Sequence, residues 1–236
     1  MEYLDTGVLD GLDAERFQEQ APYPWINPEG VLRQEALCAL RENLPGIETF
    51  QTRIGETRRY GQKPHDRYAL EYRSELALPQ PWREFIAELQ SDRYMGFLTR
   101  MLGCPTALSF HWHYTPRGCS VSPHCDAVHK LGSHIFYMNS DEQWRPEWGG
   151  QTVVLDDAGR FSRRSAPDFD DFESRQEARA DANRSFLFAR RGNSWHGVRE
   201  IQCPEGEMRK VFIVVLNRVG LLGRISRGRW QRRRGY

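Results

Sequence analysis

The sequence lacks a long hydrophobic run, an export signal and any paired cysteine motif. No apolar run in its 236 residues approaches the roughly 20 residues that a membrane-spanning helix needs. Residues 1–5 lack the basic and apolar regions with which a secretory signal peptide begins. The five cysteines are odd in number and form no CxxC pair, which argues against a disulfide framework or a structural zinc site. We therefore expect a cytoplasmic protein without a membrane partner.

The sequence also has little net charge, but the charge is unevenly distributed. It carries 33 basic and 32 acidic residues, and six of the arginines lie in residues 224–236, which contain no acid. Removing those six leaves 27 basic and 32 acidic residues in residues 1–223, a net charge of −5. An acidic body makes nucleic acid an unlikely main partner. We predict one domain over residues 1–223 and a basic, flexible tail over residues 224–236, with a nucleic-acid or anionic-surface contact as the less favoured interpretation of the tail.

The N-terminal part, residues 1–104, shows helical patterns. Residues 1–29 look loop-like, with three prolines in an aromatic stretch. Apolar residues then recur at helical spacing from Glu29 to Pro45, and a second helical pattern runs from Trp82 to Gly103. Alternation over residues 66–73 favours a strand. We expect residues 1–104 to support the sheet and to form the substrate side.

In the C-terminal part, residues 105–218, the apolar residues recur with a period of two. Seven short β-rich runs lie at residues 107–114, 120–126, 134–139, 151–155, 185–189, 195–201 and 211–217. Short strands separated by turns predict a mainly β protein, a sandwich or barrel with the helices packed outside. The polar stretch over residues 156–183 interrupts this spacing. It is either a mobile lid over the substrate or inert decoration, and we expect it to have little apolar surface to bury.

A possible metal site lies in the β-rich part. On a strand, His124 and Asp126 would point to the same side and Cys125 to the other. One imidazole and one carboxylate form two thirds of the facial triad that binds Fe(II). A short HxD motif is a weak signal by itself, and His196 at the start of a later strand could supply the second imidazole. Three protein ligands would leave three positions for a bidentate cosubstrate and dioxygen.

A cosubstrate with a free carboxylate needs a fixed cation. Arg209 opens the last apolar strand, where a buried guanidinium could bind a carboxylate through two parallel hydrogen bonds. Tyr137, in the strand after the HxD motif, could add a phenolic hydroxyl to the same carboxylate. Tyr114, in the strand before that motif, could also line the pocket, and ordinary core packing is an open alternative for both tyrosines.

These motifs occur together in one order. They are Tyr114-Thr-Pro116, Ser122-Pro-His-Cys-Asp126, Phe136-Tyr-Met-Asn139, Trp148-Gly-Gly150, Trp195-His-Gly-Val198 and Arg209-Lys210. In this respect the sequence resembles the Fe(II)/2-oxoglutarate-dependent dioxygenases, and among them the prolyl-4-hydroxylase-like branch. The resemblance covers roughly half of the chain. It implies a double-stranded β-helix, the jelly-roll or cupin-like fold.

The resemblance also implies roles for individual residues. His124, Asp126 and His196 would hold Fe(II) and form the catalytic centre. Arg209 and Tyr137 would bind the distal carboxylate of 2-oxoglutarate. The interval between His196 and Arg209 is longer than is common in the family, which leaves Arg199 as a rival for that carboxylate.

The activity implied is oxygenation that consumes 2-oxoglutarate and dioxygen and releases succinate and CO2, with ascorbate as a possible stimulant. A carboxylate at Asp126 favours hydroxylation over halogenation, and Val215 disfavours the nucleic-acid demethylase branch. We favour an amino acid or a small natural product as the substrate, and a protein side chain is the alternative. A β-helix protein that binds metal or ligand without turnover is the alternative from another class. The sequence leaves the oligomeric state open.

Overall fold

The structure of the chain is a computed structural model that describes residues 1–220. The basic tail expected at residues 224–236 lies outside the described residues. Five α-helices occur in the N-terminal part: α1 (Thr6–Gly11), α2 (Ala14–Glu19), α3 (Gln34–Glu42), α4 (Gln80–Leu89) and α5 (Asp92–Leu102). Within residues 1–220, none of the helices has both the length and the apolar character that crossing a membrane would require.

Eleven strands form two antiparallel sheets. The strands are β1 (Trp25–Ile26), β2 (Gln51–Arg53), β3 (Arg67–Glu71), β4 (Thr106–Pro116), β5 (Val121–His124), β6 (Lys130–Tyr137), β7 (Thr152–Asp156), β8 (Ser174–Ala178), β9 (Ser185–Ala189), β10 (Trp195–Val198) and β11 (Met208–Arg218). The major sheet has the order β1-β9-β6-β11-β4-β3-β2 and the minor sheet the order β5-β10-β7-β8. All seven β-rich runs expected from the sequence contain a strand.

The two faces of the major sheet bury different sets of residues. Along β11 every second residue, such as Phe212, packs against the helices in the largest core cluster. The residues between them, such as Val211, face the minor sheet and meet Val154 of β7. We call the face of the major sheet that is turned toward the minor sheet its inner face. The face that packs against the helices is its outer face. Strand alternation therefore decides which side chains reach the space between the sheets.

The N-terminal part departs from the sequence-based expectations in two ways. Residues 1–29 are not a plain loop, because Asp5 and Asp13 cap α1 and α2 by accepting hydrogen bonds from backbone N–H groups of the first turn. The second helical pattern is two helices, since α4 ends at Leu89 with Gln90 as its C-cap and Ser91 caps the start of α5. The strand expected over residues 66–73 is confirmed as β3, and it extends the major sheet beside β4.

The segment 156–183 is a folded part of the molecule, and the expectation of little apolar surface was wrong. It contributes β8, which pairs with β7 along its whole length. Phe172 is fully buried with Trp195, and Phe161 and Phe169 pack against this cluster on the side of the minor sheet away from the major sheet. The carboxylate of Asp157 also accepts a hydrogen bond from the Trp195 indole N–H (3.1 Å). Three aromatic residues in an otherwise polar stretch therefore cover the second face of the minor sheet.

Candidate functional site

Three potential metal ligands converge at one end of the minor sheet. His124 is the last residue of β5, and His196 stands directly opposite it on β10. Asp126 follows just beyond the end of β5. One ligand atom from each of the three side chains lies within 4.8 Å of the others. Among residues 1–220 this is the group of histidine, cysteine and acidic side chains that could hold a metal ion.

Both histidines have one ring nitrogen fixed by the backbone. Nδ1 of His124 lies 3.0 Å from the Ser122 carbonyl oxygen, and Nδ1 of His196 lies 2.9 Å from the Ser194 carbonyl oxygen. Each Nδ1 must therefore carry the proton and donate it, which leaves Nε2 as the free electron pair. Burial lowers the pKa of both imidazoles, so they are held in the neutral form that binds metals.

The carboxylate of Asp126 is buried and ionised. Burial alone would raise its pKa, but the ammonium group of Lys130 beside it holds the pKa of Asp126 well below its usual range. Nζ of Lys130 lies 2.8 Å from one carboxylate oxygen, Oδ1. Arg190 donates a hydrogen bond to the Asp126 backbone carbonyl (3.0 Å), which fixes the turn after β5. Two neutral imidazoles and one carboxylate form the donor set of an Fe(II) facial triad, so the residues present fit that metal.

Arg209 and Tyr137 form a second polar group, on the inner face of the major sheet. The Arg209 side chain is 5% exposed, and its guanidinium lies over the Tyr137 ring at 5.5 Å. Nε of Arg209 donates to the Gly150 carbonyl oxygen (2.6 Å), and the Tyr137 hydroxyl hydrogen-bonds to Thr152 Oγ1 (2.9 Å). A Cβ at Gly150 would lie 3.2 Å from Cδ of Arg209. The glycine of the Trp148-Gly-Gly150 turn therefore leaves the space that the arginine occupies.

Two other residues considered for the carboxylate lie elsewhere. Tyr114 is on the outer face of β4, in the core cluster under the helices, and its hydroxyl donates to the Pro45 carbonyl oxygen (3.0 Å). The structure therefore does not bring Tyr114 to the pocket, because the inner face of β4 carries its neighbours His113 and Thr115. Arg199 is exposed, and Cζ of its guanidinium lies 4.9 Å from the ring centre of Phe169, a residue of segment 156–183. The buried cation beside Tyr137 is Arg209.

The sequence reasoning missed a third group, which comes from the segment between β2 and β3. The ring of His65 lies 4.2 Å from the ring of His124, centroid to centroid. Nη1 of Arg58 contacts Nε2 of His65, and Nη1 of Arg67 donates to the His65 carbonyl oxygen (2.6 Å). Burial and the neighbouring cations lower the pKa of His65. Nothing in the local spacing of this polar segment indicates that it reaches the metal ligands, which are more than fifty positions away in the chain.

Two histidines of β4 complete the inner wall. His111 and His113 alternate with Trp112, whose ring packs on the outer face. Burial lowers the pKa of His111 to about 3 and places the pKa of His113 well below its usual range. Both imidazoles are therefore neutral and can donate or accept hydrogen bonds in the space between the sheets.

Residues 110–216 match the family model described as the 2OG-Fe(II) oxygenase superfamily. Among solved structures, a prolyl-4-hydroxylase of Pseudomonas putida is similar, with 16% identity, a TM-score of 0.59, and coverage of 91% of this chain and 98% of that one. The α-ketoglutarate-dependent carbocyclase SnoK of nogalamycin biosynthesis has 14% identity, a TM-score of 0.60, and coverage of 89% and 85%. A prolyl hydroxylase of Trichoplax adhaerens, solved with a hypoxia inducible factor peptide, has 9% identity, a TM-score of 0.59, and coverage of 90% and 88%. No curated protein is detectably similar in sequence. These likenesses show the double-stranded β-helix fold that the sequence analysis predicts.

Proposed function

We infer that this chain is a 2OG-Fe(II) oxygenase, because residues 110–216 match the model of that superfamily. Enzymes of this family use Fe(II), 2-oxoglutarate and dioxygen. We propose that the chain hydroxylates an amino acid or a small natural product and releases succinate and CO2. The observation that carries this proposal is the convergence of His124, Asp126 and His196 between the two sheets, with the buried Arg209 on the facing sheet.

We assign the three converging side chains as the Fe(II) ligands. Bound iron supplies the oxidation chemistry of the reaction, the activation of dioxygen at the expense of 2-oxoglutarate. Each of the two imidazoles donates its Nδ1–H to a backbone carbonyl oxygen. These hydrogen bonds fix the orientation of the neutral rings, with Nε2 free to bind the metal. Asp126 contributes a negative charge that Lys130 keeps ionised.

We assign Arg209 and Tyr137 to the distal carboxylate of 2-oxoglutarate. The guanidinium already donates through Nε to Gly150, which fixes the plane of its two terminal nitrogens. Two parallel N–H donors match the two oxygens of a carboxylate. The hydrogen bond between Tyr137 and Thr152 fixes the phenolic hydroxyl beside the same guanidinium. These contacts orient the cosubstrate before it reaches the metal.

The surroundings of the ligands support a site from which water is largely excluded. The ring of Phe188 lies 4.8 Å from the ring of His196. Phe188 belongs to the buried cluster between the sheets, together with Val154, which pairs with His196 across the minor sheet. An apolar wall strengthens the electrostatic interactions within the site.

The closed side of the site supports a small substrate. Lys63 forms an ion pair with Asp168 (2.6 Å), and the Gln62 side chain donates to the Ser165 carbonyl oxygen (3.0 Å). These contacts join the segment that carries His65 to segment 156–183, so that both close one side of the site near His124. A site that is closed on this side favours a free amino acid over a side chain on a folded protein. Hydroxylation of a protein side chain is the second candidate, favoured by the similarity in fold to prolyl hydroxylases.

The described cysteines support a reducing compartment, because all five are free thiols. This agrees with our proposal of a cytoplasmic location, since disulfides persist mainly in oxidising compartments.

Formation of succinate tests the proposed function. We expect purified protein to convert 2-oxoglutarate to succinate in the presence of Fe(II), dioxygen and ascorbate, slowly without a substrate and faster with the correct one. Ascorbate is added because we propose that it stimulates turnover. His196→Ala is the matched inactive variant. Wild-type protein that binds Fe(II) and 2-oxoglutarate but forms no succinate, alone or with a set of amino acids and natural products as substrates, would instead be a non-catalytic binding protein.

A further inference from the structure

Lys130 holds one oxygen of the Asp126 carboxylate. Its Nζ lies 2.8 Å from Oδ1 of Asp126, and the lysine is the first residue of β6. Within residues 1–220, the carboxylate accepts no hydrogen bond besides this one. Of the two side chains, 26% of the lysine and 10% of the aspartate are exposed, so the pair lies largely inside the protein. Oδ1 is therefore engaged, and Oδ2 is the oxygen that is left for another partner.

The turn between β5 and β6 holds the ammonium group and the carboxylate in a fixed relation. The Lys130 backbone N–H donates to the Ala127 carbonyl oxygen (3.0 Å) and closes the turn. Arg190 donates from Nε to the Asp126 carbonyl oxygen (3.0 Å) and from its backbone N–H to the Leu131 carbonyl oxygen (2.6 Å). Arg190 thus ties the start of the turn to the first residues of β6. The lysine therefore approaches the carboxylate from a position that the backbone hydrogen bonds fix.

The choice of lysine at this position stands out in a chain that is rich in arginine. Three of the 33 basic residues are lysines. The pair of Arg179 and Asp181 shows what an arginine does with a carboxylate, because Nε donates to Oδ1 (3.0 Å) and Nη2 donates to Oδ2 (2.7 Å). A guanidinium can thus engage both oxygens with its planar fork, whereas an ammonium group is a compact charge that here engages one. At Asp126 this difference decides whether an oxygen is left for a metal.

The number of oxygens that Asp126 offers decides how many positions of the metal stay open. An octahedral metal that is bound by two imidazoles and one carboxylate oxygen has three further positions. A cosubstrate that chelates through two atoms and dioxygen together need all three. A carboxylate that bound the metal through both of its oxygens would leave two positions, one too few for the two reactants. The engagement of Oδ1 by Lys130 is therefore of consequence for the proposed reaction.

We propose that Lys130 is a positioning residue that restricts Asp126 to a single metal-binding oxygen, Oδ2. By holding Oδ1, the ammonium group prevents the carboxylate from chelating the metal, and because it is a compact charge it leaves Oδ2 free. This inference rests on the proposed function, because it concerns the same metal site. It gives Lys130 a task that positive charge alone does not perform, since an arginine carries the same charge and would cover both oxygens.

The water ligands of bound Mn(II) test the inference without turnover. Mn(II) is paramagnetic, and the lines of its electron paramagnetic resonance spectrum broaden with each water ligand when the solvent is enriched in ¹⁷O. We expect three water ligands in the wild type and two in Lys130→Met, because both carboxylate oxygens can then reach the metal. With 2-oxoglutarate added, the wild type should keep one water ligand and Lys130→Met none.

The affinity for Mn(II), measured by calorimetric titration of the metal-free protein, separates positioning from charge. Lys130→Arg keeps the charge, but its fork competes with the metal for Oδ2. We expect this variant to bind Mn(II) at least about tenfold more weakly than the wild type, which is the lower end of the usual cost of disturbing the partner of a metal ligand. Lys130→Met should bind Mn(II) more tightly than Lys130→Arg does. If the lysine supplied only charge, the order of the two variants would be reversed.

Lys210→Met is the matched control. The Lys210 ammonium group lies 5.7 Å from the ring centre of Tyr114 on the outer face, and its removal should change neither the number of water ligands nor the affinity for Mn(II). The inference is wrong if Lys130→Met keeps three water ligands, or if a folded Lys130→Arg binds Mn(II) as the wild type does. Should Lys130→Arg fail to fold, which urea unfolding shows, the water count of Lys130→Met decides alone. Failure of the proposed function is a different result, absence of succinate formation by the wild type although three positions of its metal are open.

Discussion

At the scale of single residues, the backbone decides which ring nitrogen of each proposed ligand histidine is free to bind a metal. His124 and His196 both donate Nδ1–H to a carbonyl two residues earlier in the chain. The same local contact therefore fixes two rings that come from strands far apart in the sequence. A replacement at either position removes one of the three proposed ligands.

We expect His196→Ala to lose tight Fe(II) binding. Loss of a partner that merely orients a metal ligand typically costs 10- to 100-fold in affinity, so loss of the ligand itself should exceed about 100-fold. Anaerobic titration with Fe(II) measures the effect. His113→Ala, which removes an imidazole from the facing sheet, should retain the metal. Full affinity in His196→Ala would contradict the assignment of the ligands.

The buried Arg209 should decide the affinity for 2-oxoglutarate. Removing one partner of a buried, hydrogen-bonded charge pair costs about 2–5 kcal/mol, or roughly 30-fold to several thousand-fold in affinity. We expect Arg209→Ala to lose this amount in a titration of the Mn(II) form with 2-oxoglutarate. The matched variant is Arg199→Ala, which removes an exposed guanidinium. If Arg199→Ala had the larger effect, the carboxylate would bind elsewhere.

The phenol of Tyr137 should contribute less than the guanidinium. A single hydrogen bond to a charged acceptor is worth about 1.5–3 kcal/mol, and the phenol adds no charge of its own. We expect Tyr137→Phe to weaken 2-oxoglutarate binding by that amount and to leave Fe(II) affinity unchanged, both measured by titration. Tyr114→Phe removes a phenol that donates to Pro45 on the other face and should leave the affinity for 2-oxoglutarate unaltered.

At the scale of elements, β10 is held tightly between its neighbours at Gly197. A Cβ at this position would lie 2.7 Å from the Val121 carbonyl oxygen of β5 and 2.8 Å from the Phe169 ring of segment 156–183. The first of these atoms belongs to the backbone and cannot turn aside. The glycine therefore lets the segment pack closely on the strand that carries His196.

We expect Gly197→Ala to destabilise the fold by about 1–3 kcal/mol, the usual cost of overpacking, and to weaken Fe(II) binding through the adjacent His196. Urea unfolding and Fe(II) titration measure the two effects. Gly96→Ala is the control, since a Cβ there meets nothing within 4 Å on α5 and should stabilise the helix by about 0.5–1 kcal/mol. Equal stability of Gly197→Ala and wild type would mean that the strand and the segment can separate at no cost.

The elements show what periodicity can and cannot predict. The seven β-rich runs are confirmed because each has apolar residues on at least one buried face, which is a local property. Segment 156–183 was misjudged because its overall polarity conceals Phe161, Phe169 and Phe172, whose burial depends on a partner surface around Trp195. The break at Ser91 was missed because two consecutive helices can share one apolar pattern.

At the scale of the whole molecule, many buried histidines share one electrostatic property. His134 is 1% exposed beneath α5 and hydrogen-bonds to Tyr94 and Ser185. Burial lowers its pKa to about 3. The pKa values of His65, His111, His113, His124 and His196 are lowered as well, in each case first by burial. The folded chain thus resists protonation at a pH where its unfolded form accepts it.

We expect the stability of the metal-free protein to fall as the pH drops below about 6.5, the pKa of an unfolded histidine. Stability from such groups is fully present above that pH and is lost toward the lowered, folded-state pKa. Each buried histidine adds up to about 1.4 kcal/mol per pH unit. Urea unfolding at several pH values between 7.5 and 5 measures the slope. His134→Gln, which does not titrate, should show a smaller slope, and an unchanged slope would exclude His134 from the effect.

The candidate site was predictable only where its residues belong to one local pattern or to a family motif. His124, Asp126, His196, Arg209 and Tyr137 could be named from the sequence through the order of the motifs. The contact of His65 with His124 could not, because it depends on the path of the segment between β2 and β3. Tyr114 was assigned to the pocket because alternation alone does not say which face of β4 is the inner one.

Asp126 precedes β6 in the chain and His196 follows β9. This separation of two proposed metal ligands has a consequence for the folding of the chain. Asp126 and His196 are 70 positions apart, and the strands between them contribute to both sheets. A metal ion can bind these residues together only when the long loop between them has been closed. The complete site exists only once these strands have assembled. Metal binding therefore stabilises the folded state relative to the unfolded chain, by mass action. We therefore expect the folded chain to resist unfolding better with Fe(II) bound than without it.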